Sequence, residues 1–460
     1  MLFNSYEFIF AFLPIMVLGY FLLNKYRFII AGKYWLVFGS LFFYAWWNIS
    51  FLHLIIISII VNFILGKLIY SSKSKLLLTI GVVLNISYLG YYKYADFFIT
   101  NVNLAFSQDI DLLKLALPLA ISFFTFQQIA FLVDSYRKET KEFDFLNYSL
   151  FVTFFPQLIA GPIVHHKEMM PQFHSKFNNR AKVKNIALGI TIFSIGLFKK
   201  VVIADTFSKW ANAGYDASAS LTLLEGWLTS LSYTFQLYYD FSGYADMAIG
   251  AALLFNIVIP INFNSPYKAL NIQDFWRRWH MTLGRFLKDY LYIPLGGNRG
   301  TDFRIYTNLF LVFFLAGIWH GAGWTFMIWG GLHGLALVIH RMWSKYNINM
   351  DFILAWIITF NFVNITWVFF RAKSFDEAYN VLHAMFSLSS ISHSLSHINM
   401  NLYDIVFMII VFVFTLLLKN TQELVKGMKV NFITAFFVSL IIYYSMLNLN
   451  QVSEFLYFNF

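Results

Sequence analysis

Residues 315–334 read LAGIWHGAGWTFMIWGGLHG. The stretch is long enough to cross a bilayer, yet it holds two histidines, His320 and His333, among glycines and tryptophans. A lipid-facing helix needs none of these, and an ionisable side chain at bilayer depth is costly enough to mark a functional site by default. Gly317 and Gly321 stand four apart, a spacing that puts both on one helix face and lets another helix approach closely. Two readings of His320 follow. It is either a packing histidine hydrogen-bonded across a helix interface, or a general base, since imidazole accepts a proton near neutral pH without extreme tuning. His333 lies about 220° further round an ideal helix of 100° per residue. On one straight helix it would face away from His320, as a packing residue.

The surrounding composition supports a membrane setting. Of 460 residues 59% are hydrophobic and only 12% charged, and the mean hydropathy is positive. This describes a polytopic membrane protein and argues against a soluble enzyme. Several runs approach the ~20 apolar residues that a spanning helix needs. They are continuous rather than alternating, so helices, which satisfy their own backbone, are expected and a β-barrel is not. The net charge of +10 falls between the runs. It fits the positive-inside bias of cytoplasmic loops and attraction to anionic lipid headgroups; a basic rim receiving an anionic donor such as a CoA thioester is compatible with both. The absence of cysteine excludes disulfides, thiol nucleophiles and iron–sulfur clusters. No nucleic-acid partner is expected. Residues 1–23 lack a basic n-region and a small-residue cleavage site, so they are expected to remain as a helix.

About twelve membrane segments are expected on length and hydropathy. The candidate runs are residues 6–23, 34–47, 51–68, 76–92 and 112–133, then 186–203, 221–239 and 244–259, and later 305–319, 325–340, 353–370, 405–418 and 432–447. Residues 151–164, FVTFFPQLIAGPIV, are too short to span comfortably and carry Pro156 and Pro162, which points to a re-entrant hairpin. His165, His166 and His174 beyond it are expected at the interface. In the polar block 262–304, Phe275, Trp276, Trp279, Leu283, Phe286, Leu287 and Tyr290 share one side of a helical wheel. Arg277, Arg278, Arg285 and Lys288 share the other, the pattern of a helix lying in the headgroup region. His280 sits at the edge of the apolar side, where it can point into protein. Asp240 and Asp246 flank Phe241-Ser242-Gly243-Tyr244; they either orient a histidine or cap helix ends, the commoner use of Asp. The pair His165-His166 lacks the spacing of a zinc site, so no metal is expected.

Taken together, the motifs resemble one family. The opening MLFNSYEFIFAFLP, LPLAISFFTFQQIAFLVDSYR at 117–137, FPQLIAGPIV at 155–164 and YDFSGYADMAI at 239–249 carry the likeness. So do INFNSPY at 261–267, FWRRWHMTLGRFLKDYLYIPLGGNR at 275–299, residues 317–334 and FLYFNF at 455–460. In this order they are similar to the bacterial membrane-bound O-acyltransferases (MBOAT), in the branch of the alginate and peptidoglycan O-acetylation membrane proteins. The likeness runs from the first residues to the last.

The resemblance implies an all-α polytopic membrane fold, one integral membrane domain over residues 1–460, with re-entrant and interfacial helices around a central catalytic tunnel. It makes His320 the intramembrane catalytic histidine and gives His280 the second polar position of the active site. In this branch a tyrosine of the last motif is proposed to carry the acyl group, here Tyr457; a phenol becomes a nucleophile once a base takes its proton, and its ester stays reactive. The implied activity is an O-acetyltransferase of the bacterial inner membrane that takes acetyl from acetyl-CoA, with no permanently bound cofactor. An SGNH-type extracytoplasmic transferase would then place the acetyl on a cell-envelope polysaccharide, since no extracytoplasmic domain large enough to bind a polymer is evident. Membrane lipids complete its surroundings. Two rivals stay open: a transporter or flippase of an acyl carrier, which calls for inverted repeats and paired intramembrane charges not evident in the hydropathy pattern, and a non-catalytic scaffold for the transferase.

Overall fold

A computed structural model of the chain describes all residues except 141, 160, 218–219, 347, 389–394, 450–455 and 457–460. Among the described residues the regular structure is entirely helical. Six helices among the described residues are long and apolar enough to cross a membrane: Glu7–Lys25, Ile49–Ser72, Lys75–Phe106, Val183–Tyr215, Asp302–His320 and Phe352–Arg371. Three shorter apolar helices, Ile29–Ala45, Leu402–Leu417 and Phe432–Leu447, accompany them. Large apolar side chains such as Leu18, Phe38, Leu68 and Phe432 point outward from these helices. Continuous apolar surface of this kind is what a bilayer covers, and the protein is a multi-pass membrane protein.

The post at the centre is Leu223–Leu254, a helix of 32 residues buried along nearly its whole length. Its start is fixed by a capping box, in which the Thr222 hydroxyl accepts from the Glu225 amide and the Glu225 carboxylate accepts from the Thr222 amide. Two separate spans, 221–239 and 244–259, were expected here. The chain instead runs straight through Asp240–Gly243, because lysines from a neighbouring helix neutralise the carboxylates that appeared to end the first span. That neighbour, Val183–Phe198, crosses the post with backbone against backbone. A Cβ on Gly243 would lie 2.8 Å from the Gly196 carbonyl oxygen, and one on Gly196 would lie 2.6 Å from that of Gly243. Beyond Phe198 the same rod passes through a π-helical turn, Lys199–Ala204, into Asp205–Tyr215.

Other boundaries moved for local reasons. The span expected over 112–133 becomes a helix only at Ile121–Tyr136. Pro118 disfavours helix in the residue before it, and the Asp96 carboxylate accepts from the amides of Leu113 and Lys114, at 2.7 and 2.9 Å, which holds that strip as a loop. The helix expected over 76–92 runs on to Phe106. Residues 151–164 are broken as expected: Phe145–Thr153 ends ahead of the single turn Phe155–Leu158, and the described residues of the strip are buried in protein.

Candidate active site

The opening stretch is divided between two helices, as the separate runs 305–319 and 325–340 imply. Asp302–His320 ends on His320, Gly321 is extended, and Trp324–Ser344 sets off in a new direction. The hairpin closes on glycine: a Cβ on Gly317 would meet the Phe326 carbonyl oxygen at 2.4 Å and the Gly330 Cα at 3.0 Å, and one on Gly330 would meet the Phe313 carbonyl oxygen at 2.5 Å. The close approach expected of Gly317 is therefore made to Gly330 within the same stretch. Gly321 packs against the Phe326 ring instead.

His320 is 3% exposed, at the end of its helix, in a box of three aromatic rings. The centroids of Trp319, Trp329 and Phe370 lie 4.8, 5.0 and 5.1 Å from the imidazole, all edge to face. The helix end is held from outside. Lys93 Nζ donates to the carbonyls of Trp319 and His320, at 2.6 and 3.0 Å, and the Tyr94 hydroxyl donates to the carbonyl of Ile318 at 2.7 Å. A cavity of about 300 Å³ opens beside this contact, lined by Tyr92, Lys93, Asp96, Leu117, Gly321 and Phe326.

Since the chain turns at Gly321, the helical-wheel reason for setting His333 aside does not apply: Trp329 lies 4.9 Å from His333 and 5.0 Å from His320, between centroids. Its hydrogen bonds do make it a packing residue. Nδ1 accepts from Trp276 Nε1 at 3.2 Å, so Nε2 carries the proton and donates to the Thr366 hydroxyl at 3.0 Å. Both nitrogens are occupied in a fixed tautomer.

His280 is fully buried, and the helix expected around it is broken at that point. Ile272–Arg278 and Met281–Leu287 are separate, and His280 between them has φ +43°, in the left-handed region. Its Nδ1 donates to Asn262 Oδ1 at 3.1 Å, an oxygen that also accepts from the Thr282 hydroxyl at 2.9 Å. The protonated nitrogen is thus Nδ1, and the basic lone pair belongs to Nε2. Phe275, Trp279 and Leu283, placed by the wheel in the headgroup region, are buried in protein around this bend. Trp319 connects the two sites, with its ring 4.8 Å from His320 and 6.5 Å from His280.

Among the described residues, Asp240 and Asp246 pair with lysines and not with a histidine or a helix end. Asp240 receives Lys200 Nζ at 2.6 Å, and Lys200 also reaches Asp205 at 2.9 Å; Asp246 receives Lys199 Nζ at 2.7 Å and the Thr421 hydroxyl at 2.6 Å. These are paired charges within helices, which the hydropathy pattern did not reveal. Lys199 and Lys200 were legible inside the run 186–203, as was Lys93 just past the end of 76–92. A lysine in an apolar run is the signal that could have found all three.

His165 and His166, expected at the interface, are buried. The Tyr290 hydroxyl donates to Asp134 at 2.9 Å and accepts from His165 Nδ1 at 3.0 Å. Burial, seconded by Arg285, lowers the His165 pKa to about 4. Burial, seconded by Lys167, lowers that of His166 to about 4. His174 is half exposed, against Asn147 and Glu142. Among the described residues no three His, Asp or Glu side chains converge as a metal site would require. Tyr457 lies outside the described residues.

Comparison with known proteins agrees with the motifs. The chain is 49% identical to a peptidoglycan O-acetyltransferase of Helicobacter pylori, over 100% of this chain and 98% of that protein. It is 40% identical to a probable alginate O-acetylase of Pseudomonas aeruginosa, over 85% and 76%. A teichoic acid D-alanyltransferase of Bacillus subtilis is 28% identical over 56% of this chain and 70% of its own length. The family model described as membrane-bound O-acyltransferase matches residues 41–375, a range that holds both His280 and His320. The chain belongs to the membrane-bound O-acyltransferase family and is an O-acyltransferase.

Proposed function

We propose that this protein takes acetyl from cytoplasmic acetyl-CoA and passes it across the bacterial inner membrane for O-acetylation of an envelope polysaccharide. Peptidoglycan is the favoured polymer, because the relative of that name aligns over nearly all of both chains. The observation that carries the chemistry is His320: a buried imidazole on a helix end, boxed by aromatic rings, next to a cavity.

In this reading funnels from the two membrane faces meet at His320. His320 takes the proton of an acceptor hydroxyl, and the oxygen attacks the thioester carbonyl carbon. The carbon–sulfur bond breaks, and the CoA thiolate leaves with the proton. His280 is the second polar group, offering Nε2 while Asn262 fixes its ring. Tyr457 is the first acceptor, and its acetyl ester passes to an SGNH-type partner transferase outside. About twelve membrane segments would enclose this tunnel in one domain. Family membership sets the transporter aside, even though paired helix charges are present.

The test is transfer of labelled acetyl from acetyl-CoA to protein reconstituted in proteoliposomes. Label on wild type, absent from Tyr457→Phe, supports the relay; no label on wild type, with transfer still seen in cells, points to direct transfer. Ester analysis of the envelope in a deletion strain names the polymer.

A further inference from the structure

One helix organises the cavity beside His320. Lys75–Phe106 lines it with Tyr92, Lys93 and Asp96, and its Lys93 and Tyr94 hold the helix end that bears His320. Further along the same helix, Asn101 Oδ1 accepts from Trp324 Nε1 at 3.0 Å, which fixes the start of the helix after Gly321. Another wall is made by Leu115 and Leu117, from the loop that leads on to Ile121–Tyr136.

That loop, residues 107–117, has no regular structure and is mostly exposed, so side chains of the helix must place it. Asp96 accepts the amides of Leu113 and Lys114 at 2.7 and 2.9 Å, one on each carboxylate oxygen. Asn103 clasps Ile110, accepting its amide at 3.0 Å and donating to its carbonyl at 2.8 Å. Lys114 has φ +49°, in the left-handed region that a lysine rarely adopts. The bond from its amide to Asp96 holds that conformation, and the next residue, Leu115, lines the cavity. Charge gives the loop a side. Lys67, Lys73 and Lys75 gather around the start of the helix, whereas residues 107–117 hold the single Lys114 beside Asp109 and Asp111. Basic residues favour the cytoplasmic face, so the loop belongs to the opposite one.

We propose that Asp96 is a positioning residue for acyl transfer: by holding residues 107–117 against Lys75–Phe106, it sets the extracytoplasmic wall of the pocket beside His320 and keeps bulk water out. An acetyl thioester at His320 has two competing fates. Attack by the acceptor oxygen gives the acetyl ester and the CoA thiol; attack by water gives acetate, the CoA thiol and a proton. A pocket closed to water favours the first. The effect on the reaction rests on the proposed role of His320; the placement of the loop does not.

The sequence has no cysteine, so Leu115→Cys in the full chain offers one thiol, and its rate with a membrane-impermeant maleimide reports how often the wall opens. In nanodiscs, Asp96→Ala is expected to speed that reaction about fivefold or more, less than two full bonds to a charged group because Asp96 is only half-buried. Asp96→Asn, which keeps one acceptor oxygen, falls between Asp96→Ala and wild type. Val363→Cys, buried on another helix, stays slow in every background, which separates loosening of the loop from unfolding. An unchanged rate at Leu115→Cys in Asp96→Ala, or equal acceleration at Val363→Cys, overturns the proposal; should Asp96→Ala not fold, Asp96→Asn decides alone. In spheroplasts the reagent meets only the outer face, and failure to label there what labels in nanodiscs overturns the side assigned. The cysteine-free Asp96 variants are then given acetyl-CoA, and the ratio of acetate released to acetyl transferred is expected to rise about threefold or more. An unchanged ratio overturns the water-excluding role. Faster labelling with no acetyl-CoA consumed by any protein, wild type included, keeps the placement of the loop by Asp96 and counts against the reading of His320.

Discussion

Lys93 holds the end of the helix that carries His320, its Nζ donating to the backbone carbonyls of Trp319 and His320 at 2.6 and 3.0 Å. A helix end leaves its last carbonyls without partners, and here a side chain from another helix supplies them. His320, the proposed base, is one of those residues, so Lys93 sets where its imidazole stands. Misplacement of a catalytic group by about 1 Å costs on the order of 100-fold in rate. Lys93→Met is accordingly expected to slow acetyl transfer by about 10- to 100-fold. Thermal unfolding in detergent, measured alongside, should fall by no more than the ~1–3 kcal/mol of the lost hydrogen bonds.

Gly317→Ala places a methyl group 2.4 Å from a backbone carbonyl oxygen that cannot move aside cheaply. Overpacking of this kind costs about 1–3 kcal/mol or more. The expected result is a lower melting temperature together with reduced transfer, because the hairpin that carries His320 must open. Gly427→Ala, where a Cβ meets nothing within 4 Å, is the control and should leave both unchanged.

His333 and His320 should separate cleanly. His333→Gln breaks the chain from Trp276 to Thr366. It should cost about 1–3 kcal/mol of stability, as for a buried hydrogen-bonded group, with transfer by the folded fraction within a few-fold of wild type. Melting curves and initial rates on the same samples check this. A loss of rate as deep as that of a His320 variant would put His333 in the chemistry.

The pH dependence of stability follows from His165 and His166. Burial lowers both to about 4 from an ordinary 6.5. A histidine with a folded pKa below its unfolded one binds its proton more readily when unfolded. Its neutral, native-state contribution is complete above pH 6.5 and is lost as pH falls from 6.5 towards 4. The melting temperature in detergent should therefore drop across that window. His166→Gln, which cannot titrate, should flatten the drop; an identical pH profile in the variant would remove His166 from the account.

Much of the fold was legible because apolar runs are: residues 432–447 match the Phe432–Leu447 helix, and 353–370 falls one residue short of Phe352–Arg371 at each end. Misplaced boundaries came from charges whose partners lie elsewhere in the sequence. Asp240 looked like a helix end because Lys200 is 40 residues upstream, and the run 76–92 was stopped at Lys93, whose partners lie on a helix more than 220 residues away. His280 was legible as inward-facing but not as a bend, since nothing local announces φ +43° at a histidine. The break after His320 was legible in the gap between the runs 305–319 and 325–340, but the direction of the turn at Gly321, which decides how His320 and His333 relate, was not.

The most direct measurement is acetyl transfer from acetyl-CoA by purified, reconstituted His320→Ala protein, with its fold checked by an unchanged melting curve. A general base contributes about 10²- to 10⁴-fold, so transfer should fall by at least 100-fold. Full transfer by folded His320→Ala would contradict the account.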